Sequence, residues 1–292
     1  MMRLNKLHPL TSGLYFASVL MLSMFVQNPF VHFVSFLGAF AFYAKNSKSG
    51  VVKELLIYAA MLLIIAAVNP FFSHKGETAL FFINKNPVTL ESILYGFGMA
   101  LMIIAVIYWF KCFNCIMSED KLLCIFGGIS PKLALLLSMS LRFLPLFNSQ
   151  AKRIKDSQKA MGMYSSDAYI DRVKNTMRAY SSLVGWALEN AIDVGTSMKS
   201  RGYGLKGRTH FSLFKFGLND FLFVVLTVTF DALIISALIN GGFDFEYYPH
   251  ITTAKVDTMT ITAFFAFVTM CFVPVILELK EELQWKYYKS KI

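Results

Sequence analysis

The sequence predicts an all-α polytopic membrane protein, with about six transmembrane helices and two long cytoplasmic helices. The first observation is composition: 56% of the 292 residues are hydrophobic and 16% are charged, whereas about 25% of a soluble domain is charged. The second is a series of apolar runs near the length of about 20 residues that a membrane helix needs. The third is a central segment that carries nearly all the excess positive charge. This composition excludes most soluble enzymes, disordered tails and secreted disulfide scaffolds.

Four apolar runs occupy residues 1–110, which we assign as the N-terminal transmembrane region. Residues 10–26 and 30–44 are separated by Gln27-Asn28-Pro29. They form either a hairpin of two short spans or one helix kinked at Pro29, and we favour the hairpin. The third span is predicted at residues 51–68, closed by Asn69-Pro70, and the fourth at 88–110, after Pro87.

The central segment, residues 111–215, contains 16 Lys and Arg against 7 Asp and Glu, while the rest of the chain contains 12 against 11. A basic segment can indicate nucleic-acid binding. Between membrane-like flanks it more often marks a cytoplasmic region, because Lys and Arg are retained on that side. We therefore expect no nucleic-acid partner. Two further spans are predicted at 216–240 and 258–277, within a C-terminal transmembrane region of residues 216–292. The charge rule then places both termini in the cytoplasm.

Two long helices are predicted inside this central segment. The chain is apolar from 131 to 147, apart from Arg142 and Pro145, and stays compatible with a helix to residue 163. A second helix is predicted from about 168 to 201. Its apolar residues repeat every seven positions, which gives a seam suited to packing against another helix. The seam comprises Val173, Met177, Tyr180, Val184, Ala187, Ala191, Val194 and Met198.

Each of these helices is predicted to end at a glycine, after Lys159-Ala160-Met161 in the first and after Ser200-Arg201 in the second. Arg201 at a helix C-terminus is favoured by the helix dipole in any protein. It could also project outward and form bidentate pairs with the carboxylates of a partner. The two helices could lie on anionic lipid or act as arms presented to a cytosolic protein. The small side chains in the second half of the seam favour the arms.

At these residues the sequence resembles the CbiQ-like transmembrane T component of energy-coupling factor (ECF) transporters. The resemblance rests on Leu141-Arg142-Phe143-Leu144-Pro145-Leu146, on Ser157 to Gly162 and on Ala191-Ile192-Asp193 with Ser200 to Gly204. The family carries an Ala/Ser-Arg-Gly motif at the end of each coupling helix. The second motif is intact at Ser200-Arg201-Gly202. The first reads Ala160-Met161-Gly162, with methionine where the family usually has arginine.

The resemblance implies a scaffold that joins two cytosolic ABC-type ATPase subunits to a substrate-binding membrane subunit, the S component, in the cell membrane. It implies uptake of a vitamin or a metal ion, without naming the cargo. The coupling residues implied are Lys159, Ala160, Met161 and Gly162, with Ser200, Arg201 and Gly202. No catalysis and no cofactor is expected in this chain, with ATP bound by the partners. The phosphate-binding pattern GxxxxGK[ST] does not occur in the sequence.

Two charged residues within apolar runs, Asp231 and Arg142, and the helical Asp193 remain. Intramembrane charges are expensive and are usually paired or line a pathway. We favour a structural pair within the bundle, with a proton or ion pathway as the alternative. One rival function is therefore a secondary transporter that works alone through Asp231 and Arg142. Another is a lipid-modifying membrane enzyme, although the acidic residues are dispersed, with Glu189 and Asp193 as a helical pair four residues apart.

No metal site is expected from the cysteines. Cys112 and Cys115 form a CxxC pair, but a structural zinc site needs a second pair of ligands. We predict that they are free thiols near a helix end.

Overall fold

The helices of the protein fall into two units in a computed structural model, which describes residues 7–46, 50–73, 76–83, 86–164, 168–205, 214–249, 251–253 and 257–290. The first unit joins residues 1–122 to 214–292, and the second is residues 123–213. The first contains helices α1 (Pro9–Phe25), α2 (Pro29–Asn46), α3 (Val51–Phe72), α4 (Leu90–Ile116), α8 (Leu218–Ile239) and α9 (Thr258–Ser290). The second contains α6 (Pro131–Ala160) and α7 (Tyr169–Ser200), while α5 (Glu119–Ile129) begins in the first unit and ends in the second.

The all-α membrane fold is confirmed by the apolar helices of the first unit. Within the described residues α3, α4, α8 and α9 are long and apolar enough to cross a bilayer. The helices α1 and α2 are apolar but have only 17 and 18 residues, which is near the lower limit of about 17 for a span. The protein is therefore a multi-pass membrane protein, and its two N-terminal helices are the shortest of the six helices in the first unit.

The six helices alternate in direction. The antiparallel pair α3 and α4 is joined by Glu54 to Lys111 at one end and by Asn69 to the Ser92 carbonyl at the other. The parallel pair α1 and α8 is joined by the His8 backbone to Asp220, and further along both helices Ser18 lies near Asp231.

Contacts of α9 show that it also follows this alternation in direction. It runs parallel to α2, since Gly38 meets Cys271 and Asn46 meets Glu278, and it turns back on α8 through the contact of Asn240 with Met259. An even number of alternating spans places the beginning of α1 and the end of α9 at the same end of the bundle.

The first two spans are separate helices and not one kinked helix. The helix α1 ends at Phe25, Val26 is extended, and α2 begins at Pro29. Proline suits the first turn of a helix, where a backbone N–H has no partner within the helix. The favoured interpretation of a hairpin of short spans agrees with the opposite directions of α1 and α2.

Three prolines lie inside helices that the sequence predicted would be interrupted or shorter. The helix α3 continues through Pro70 to Phe72, α6 runs unbroken through Pro145, and α9 continues past Pro274 to Ser290. Each proline removes one backbone hydrogen bond, and packing outweighs that loss. The prediction that α3 closes at Asn69-Pro70 was therefore wrong. The side chain of Asn69 binds α4 instead of ending the helix.

Two short strand pairs were not predicted. The strands β1 (Ala79–Ile83) and β2 (Asn86–Thr89) form an antiparallel hairpin before α4. The strands β3 (Phe245–Glu246) and β4 (Thr252–Thr253) pair in the loop between α8 and α9. The fourth span therefore begins at Leu90 and extends to Ile116, beyond the predicted residues 88–110.

The core of the first unit is largely aromatic. The indole Nε1 of Trp109 on α4 donates to the Ser35 hydroxyl of α2 at 2.9 Å. The Tyr15 hydroxyl of α1 donates to the Met270 carbonyl of α9 at 2.8 Å. Both side chains are almost fully buried, so their polar atoms need these partners. The bundle is thus held by ring packing and by a few buried hydrogen bonds between helices.

Candidate functional site

The two long helices predicted from the sequence pack on each other as an antiparallel pair. The rings of Phe147 on α6 and Trp186 on α7 meet edge to face, with centroids 5.7 Å apart. The side-chain amide of Asn175, near the beginning of α7, donates to the carbonyl of Met163, just after the end of α6. Residue numbers rise along α6 between these contacts while they fall along α7. The C-termini of the two helices therefore lie at opposite ends of the pair.

The face of α7 that is covered coincides only in part with the predicted seven-residue seam. The positions of α7 that are not exposed are Asp171, Asn175, Ala179, Leu183, Trp186, Ala187, Asn190, Val194, Gly195 and Met198. The first half of the seam remains on the surface: Met177 and Tyr180 are both 64% exposed. On α6, Phe147 lies against Trp186 of α7, and Gln158 is buried. The first half of the seam is thus an exposed apolar face of α7, beside the positions that are covered.

The first tip, residues 159–163, ends α6 in a glycine cap. Gly162 has a φ of +75°, in the left-handed region that favours glycine. Its N–H donates to the Lys159 carbonyl at 2.9 Å, and the Met163 N–H donates to the Gln158 carbonyl at 3.2 Å. This pair of hydrogen bonds is the Schellman motif. Met161 occupies the cap position, and its side chain is 64% exposed.

The second tip, residues 199–203, ends α7 in the same way. Gly202 has a φ of +82°, its N–H donates to the Lys199 carbonyl, and the Tyr203 N–H donates to the Met198 carbonyl, both at 3.0 Å. Arg201 occupies the cap position and is exposed. The Ser200 hydroxyl bonds back to the Ser197 carbonyl of its own helix. Met161 and Arg201 are therefore structurally equivalent positions that differ in charge.

The cap alone does not mark a functional tip. The transmembrane helix α8 ends in the same motif at Asn240, where Gly241 has a φ of +72° and its N–H donates to the Leu238 carbonyl at 3.0 Å. What distinguishes the two tips is their position on one helix pair and the cations in their last turns, Lys159 and Lys199.

The separation of the tips follows from the helix pair. The first tip adjoins Asn175. Arg201, in the second tip, lies 26 positions further along α7. At 1.5 Å per residue this is about 39 Å along the helix axis. The sequence suggested two arms that both end on the cytoplasmic side. The structure shows one helix pair that presents a tip at each end.

Comparison with known proteins assigns the chain that carries these tips to a family. The model of the CbiQ family, described as cobalt transport protein, matches residues 3–211. The match spans most of the chain and contains both tips. The chain belongs to the CbiQ family. The resemblance seen in the sequence is thereby confirmed, and α8 and α9 of this CbiQ protein lie beyond the matched residues.

Relatives of this CbiQ protein carry the name energy-coupling factor transporter transmembrane protein EcfT. One from Listeria innocua is 29% identical over 223 residues, which are 72% of this chain and 77% of that protein. One from Exiguobacterium sibiricum is 33% identical over 114 residues, 38% of this chain and 43% of that protein. One from Lactococcus lactis is 33% identical over 106 residues, 36% of this chain and 40% of that protein.

The three remaining predicted residues lie in different surroundings. Asp193 is exposed on α7, and Arg142 is exposed on α6. Asp231 lies on α8, half-buried, with Ser18 of α1 nearby. The Ser18 hydroxyl already donates to the Tyr15 carbonyl at 2.9 Å. The Oδ1 atom of Asp231 has no hydrogen-bond partner within the described part of the chain.

The residues that the structure describes do not bring together three or more His, Cys, Asp or Glu side chains that could hold a metal ion. Cys112 is buried and Cys115 exposed, and both are free thiols, as are Cys124 and Cys271. The CxxC pair is therefore part of the end of α4, as the sequence predicted.

Two site features escaped prediction. Asn175, which is 6% exposed, ties the first tip to α7, and Trp186 holds the middle of the pair. A buried asparagine beside a helix end carries no distinctive sequence signal. A tryptophan at helical spacing from covered positions could have been found, because large rings usually mark the packed face of a helix.

Proposed function

We propose that this chain is the transmembrane component of an ECF-type ABC importer, acting as a non-catalytic scaffold. It would join two cytosolic ABC-type ATPase subunits to a substrate-binding membrane subunit in the cell membrane, for uptake of a vitamin or a metal ion. The supporting observation is the pair of equivalent glycine caps at opposite ends of one helix pair. Relatives named EcfT support the same assignment.

Each tip would be bound by one ATPase subunit. Two separate binding sites about 39 Å apart along α7 suit a pair of subunits better than one small protein. The exposed guanidinium of Arg201 can form two parallel hydrogen bonds with a carboxylate. Met161 gives the other tip an apolar centre, with Lys159 in its last turn.

ATP binding and hydrolysis in the partners would move the tips, and the α6–α7 pair would carry that displacement. The contacts between Asn175 and the Met163 carbonyl, and between Phe147 and Trp186, hold the pair together at two positions along its length. A tip displacement would therefore be passed to the whole pair instead of bending one helix.

The exposed seam on α7 would receive a helix of the substrate-binding subunit. Its exposed apolar side chains, such as Met177 and Tyr180, need a cover, and Ala187 and Ala191 allow a partner helix to approach closely. The charge distribution supports cytoplasmic termini, because the α9 extension after Leu277 carries Lys280, Lys286 and Lys289.

The test is co-purification of ATPase subunits with the affinity-tagged chain from its own cells. Arg201→Glu should lose at least one ATPase subunit, because like charges would replace a bidentate pair. Arg178→Glu, a charge reversal at an exposed position of the same helix, serves as the matched control. Equal recovery from wild type and Arg201→Glu would overturn the role of Arg201.

The first tip has a complementary test. Met161→Arg restores the motif typical of the family, and we expect the complex to assemble and transport. Loss of the ATPase subunits from Met161→Arg would show that the groove at this tip requires an apolar side chain.

A further inference from the structure

The two tips differ in charge over the two helical turns that precede them. Counted back from the glycine, Lys159 of α6 and Lys199 of α7 are equivalent. Earlier positions are not, since Lys155 and Lys152 of α6 correspond to Gly195 and Ile192 of α7. The tip that lacks arginine at its cap is thus the one with additional lysines along its helix.

These three lysines form one row on α6, which we name the lysine row: Lys152, Lys155 and Lys159. At about 100° per residue their side chains fall within an arc of about 60°. The centre of that arc is about 110° around the helix from Phe147, which contacts Trp186 of α7. The row therefore lies on a side of α6 outside this contact and extends about 10 Å along the helix axis.

The lysine row is accessible and has no partner of its own. All three side chains are exposed. Within the described ranges none of them makes an ion pair or a hydrogen bond. Asp156 is the only carboxylate between residues 152 and 161, so the stretch keeps a net positive charge. Three unpaired cations on one face are suited to an acidic protein surface.

We propose that the lysine row replaces the missing cap arginine as the electrostatic anchor of the first tip. Its partner is an ATPase subunit that holds Met161 in an apolar socket and presents, on another side of α6, a strip of carboxylates about 10 Å long. The partner at the second tip instead holds its carboxylates at the Arg201 position. The inference rests on the proposed function, and it specifies the chemistry of the first tip's partner.

The experiment compares four forms of the tagged chain in ATPase co-purification across a salt series. They are wild type, the triple variant Lys152→Gln, Lys155→Gln and Lys159→Gln, the same triple variant with Met161→Arg, and the control Lys174→Gln with Arg178→Gln. Exposed ion pairs are individually weak, so the row acts through the sum of its charges. We expect the triple variant to bind about tenfold more weakly at low salt and to lose most of its salt dependence.

Rescue separates an electrostatic role from a structural one. Met161→Arg in the triple variant should restore binding, since it returns the charge to the cap, whereas it could not repair a distorted helix. Circular dichroism checks that the helix content of all four forms is equal. The control should bind like wild type.

Three outcomes would overturn a claim. If wild type brings down no ATPase subunit, the proposed function fails. If wild type binds and the triple variant binds equally at every salt concentration, the lysine row is not the anchor. If the triple variant loses binding and Met161→Arg does not restore it, the row acts in another way and the replacement of the cap arginine is refuted.

Discussion

The carboxylate of Asp220 joins the chain before α1 to the beginning of α8, because its Oδ1 accepts the backbone N–H of His8 at 2.7 Å. Its Oδ2 accepts the Gly217 N–H at 3.0 Å, which completes the N-terminal cap of α8. Asp220 is only 6% exposed. One buried carboxylate therefore fixes two helix beginnings that are more than 200 positions apart in sequence.

Replacing Asp220 should destabilise the bundle. Asp220→Leu removes the helix cap and a buried hydrogen bond to a charged group, for an expected loss of about 2–4 kcal/mol. Asp220→Asn keeps an acceptor and should lose less. The measurement is the thermal midpoint of the purified chain in detergent. Ser236→Ala on the same helix, whose hydroxyl only bonds its own backbone, should change little.

Gly38 is a packing point where α2 and α9 come too close for a larger side chain. A Cβ atom there would lie 2.9 Å from Cys271 Cβ and 3.0 Å from the Cys271 carbonyl oxygen. Gly38→Ala should therefore separate the helices and destabilise the fold by about 1–3 kcal/mol. At Gly185 on α7 a Cβ would meet nothing within 4 Å. Gly185→Ala should leave stability unchanged or raise it by up to about 1 kcal/mol, in the same thermal assay.

Asn175 should hold the first tip, at the end of α6, in its folded conformation. Asn175→Leu leaves the Met163 carbonyl without its side-chain donor, at an expected cost of about 1–3 kcal/mol. Amide hydrogen exchange at residues 158–164 should accelerate, while exchange around Phe147 and Trp186 should stay slow. Thr176→Ala removes only a bond within α7 and is the matched control. Unchanged exchange in Asn175→Leu would show that the tip is not held by this contact.

Asp231 distinguishes the scaffold from a carrier that works alone. Asp231→Asn preserves the shape of the side chain and removes its capacity to ionise. A scaffold with its energy supplied by partner subunits should keep most of its uptake activity, measured with the complete complex in vesicles. A carrier that works alone and uses Asp231 as its proton or ion site would lose uptake in Asp231→Asn.

Hydropathy and helix periodicity predicted most of the architecture, because a span of about 20 apolar residues is a strong signal. The helix α7 was predicted at about 168–201 and occupies Tyr169–Ser200. Helix ends at proline were less predictable. Pro70, Pro145 and Pro274 all lie inside helices, since tertiary packing decides whether a lost hydrogen bond ends a helix.

The candidate site was predictable as two motifs but not as an arrangement. The glycines of both tips predict the helix ends from the sequence alone. The antiparallel order depends on the Phe147–Trp186 and Asn175–Met163 contacts, which join residues on two different helices. The face of α7 that α6 covers was also missed. Two apolar faces compete on that helix, and the sequence does not indicate which one the chain itself covers.

Under the proposed function, the α6–α7 pair is a rigid body bound by an ATPase subunit at each end. It responds differently when both ends are moved together and when only one end is moved. Equal displacements of both tips by the two ATPase subunits would translate the α6–α7 pair as a whole. A stroke at only one end would tilt it about the other, with a lever arm of about 39 Å. Two nucleotide-hydrolysis events in one working cycle would therefore be mechanically distinct whenever they are not simultaneous.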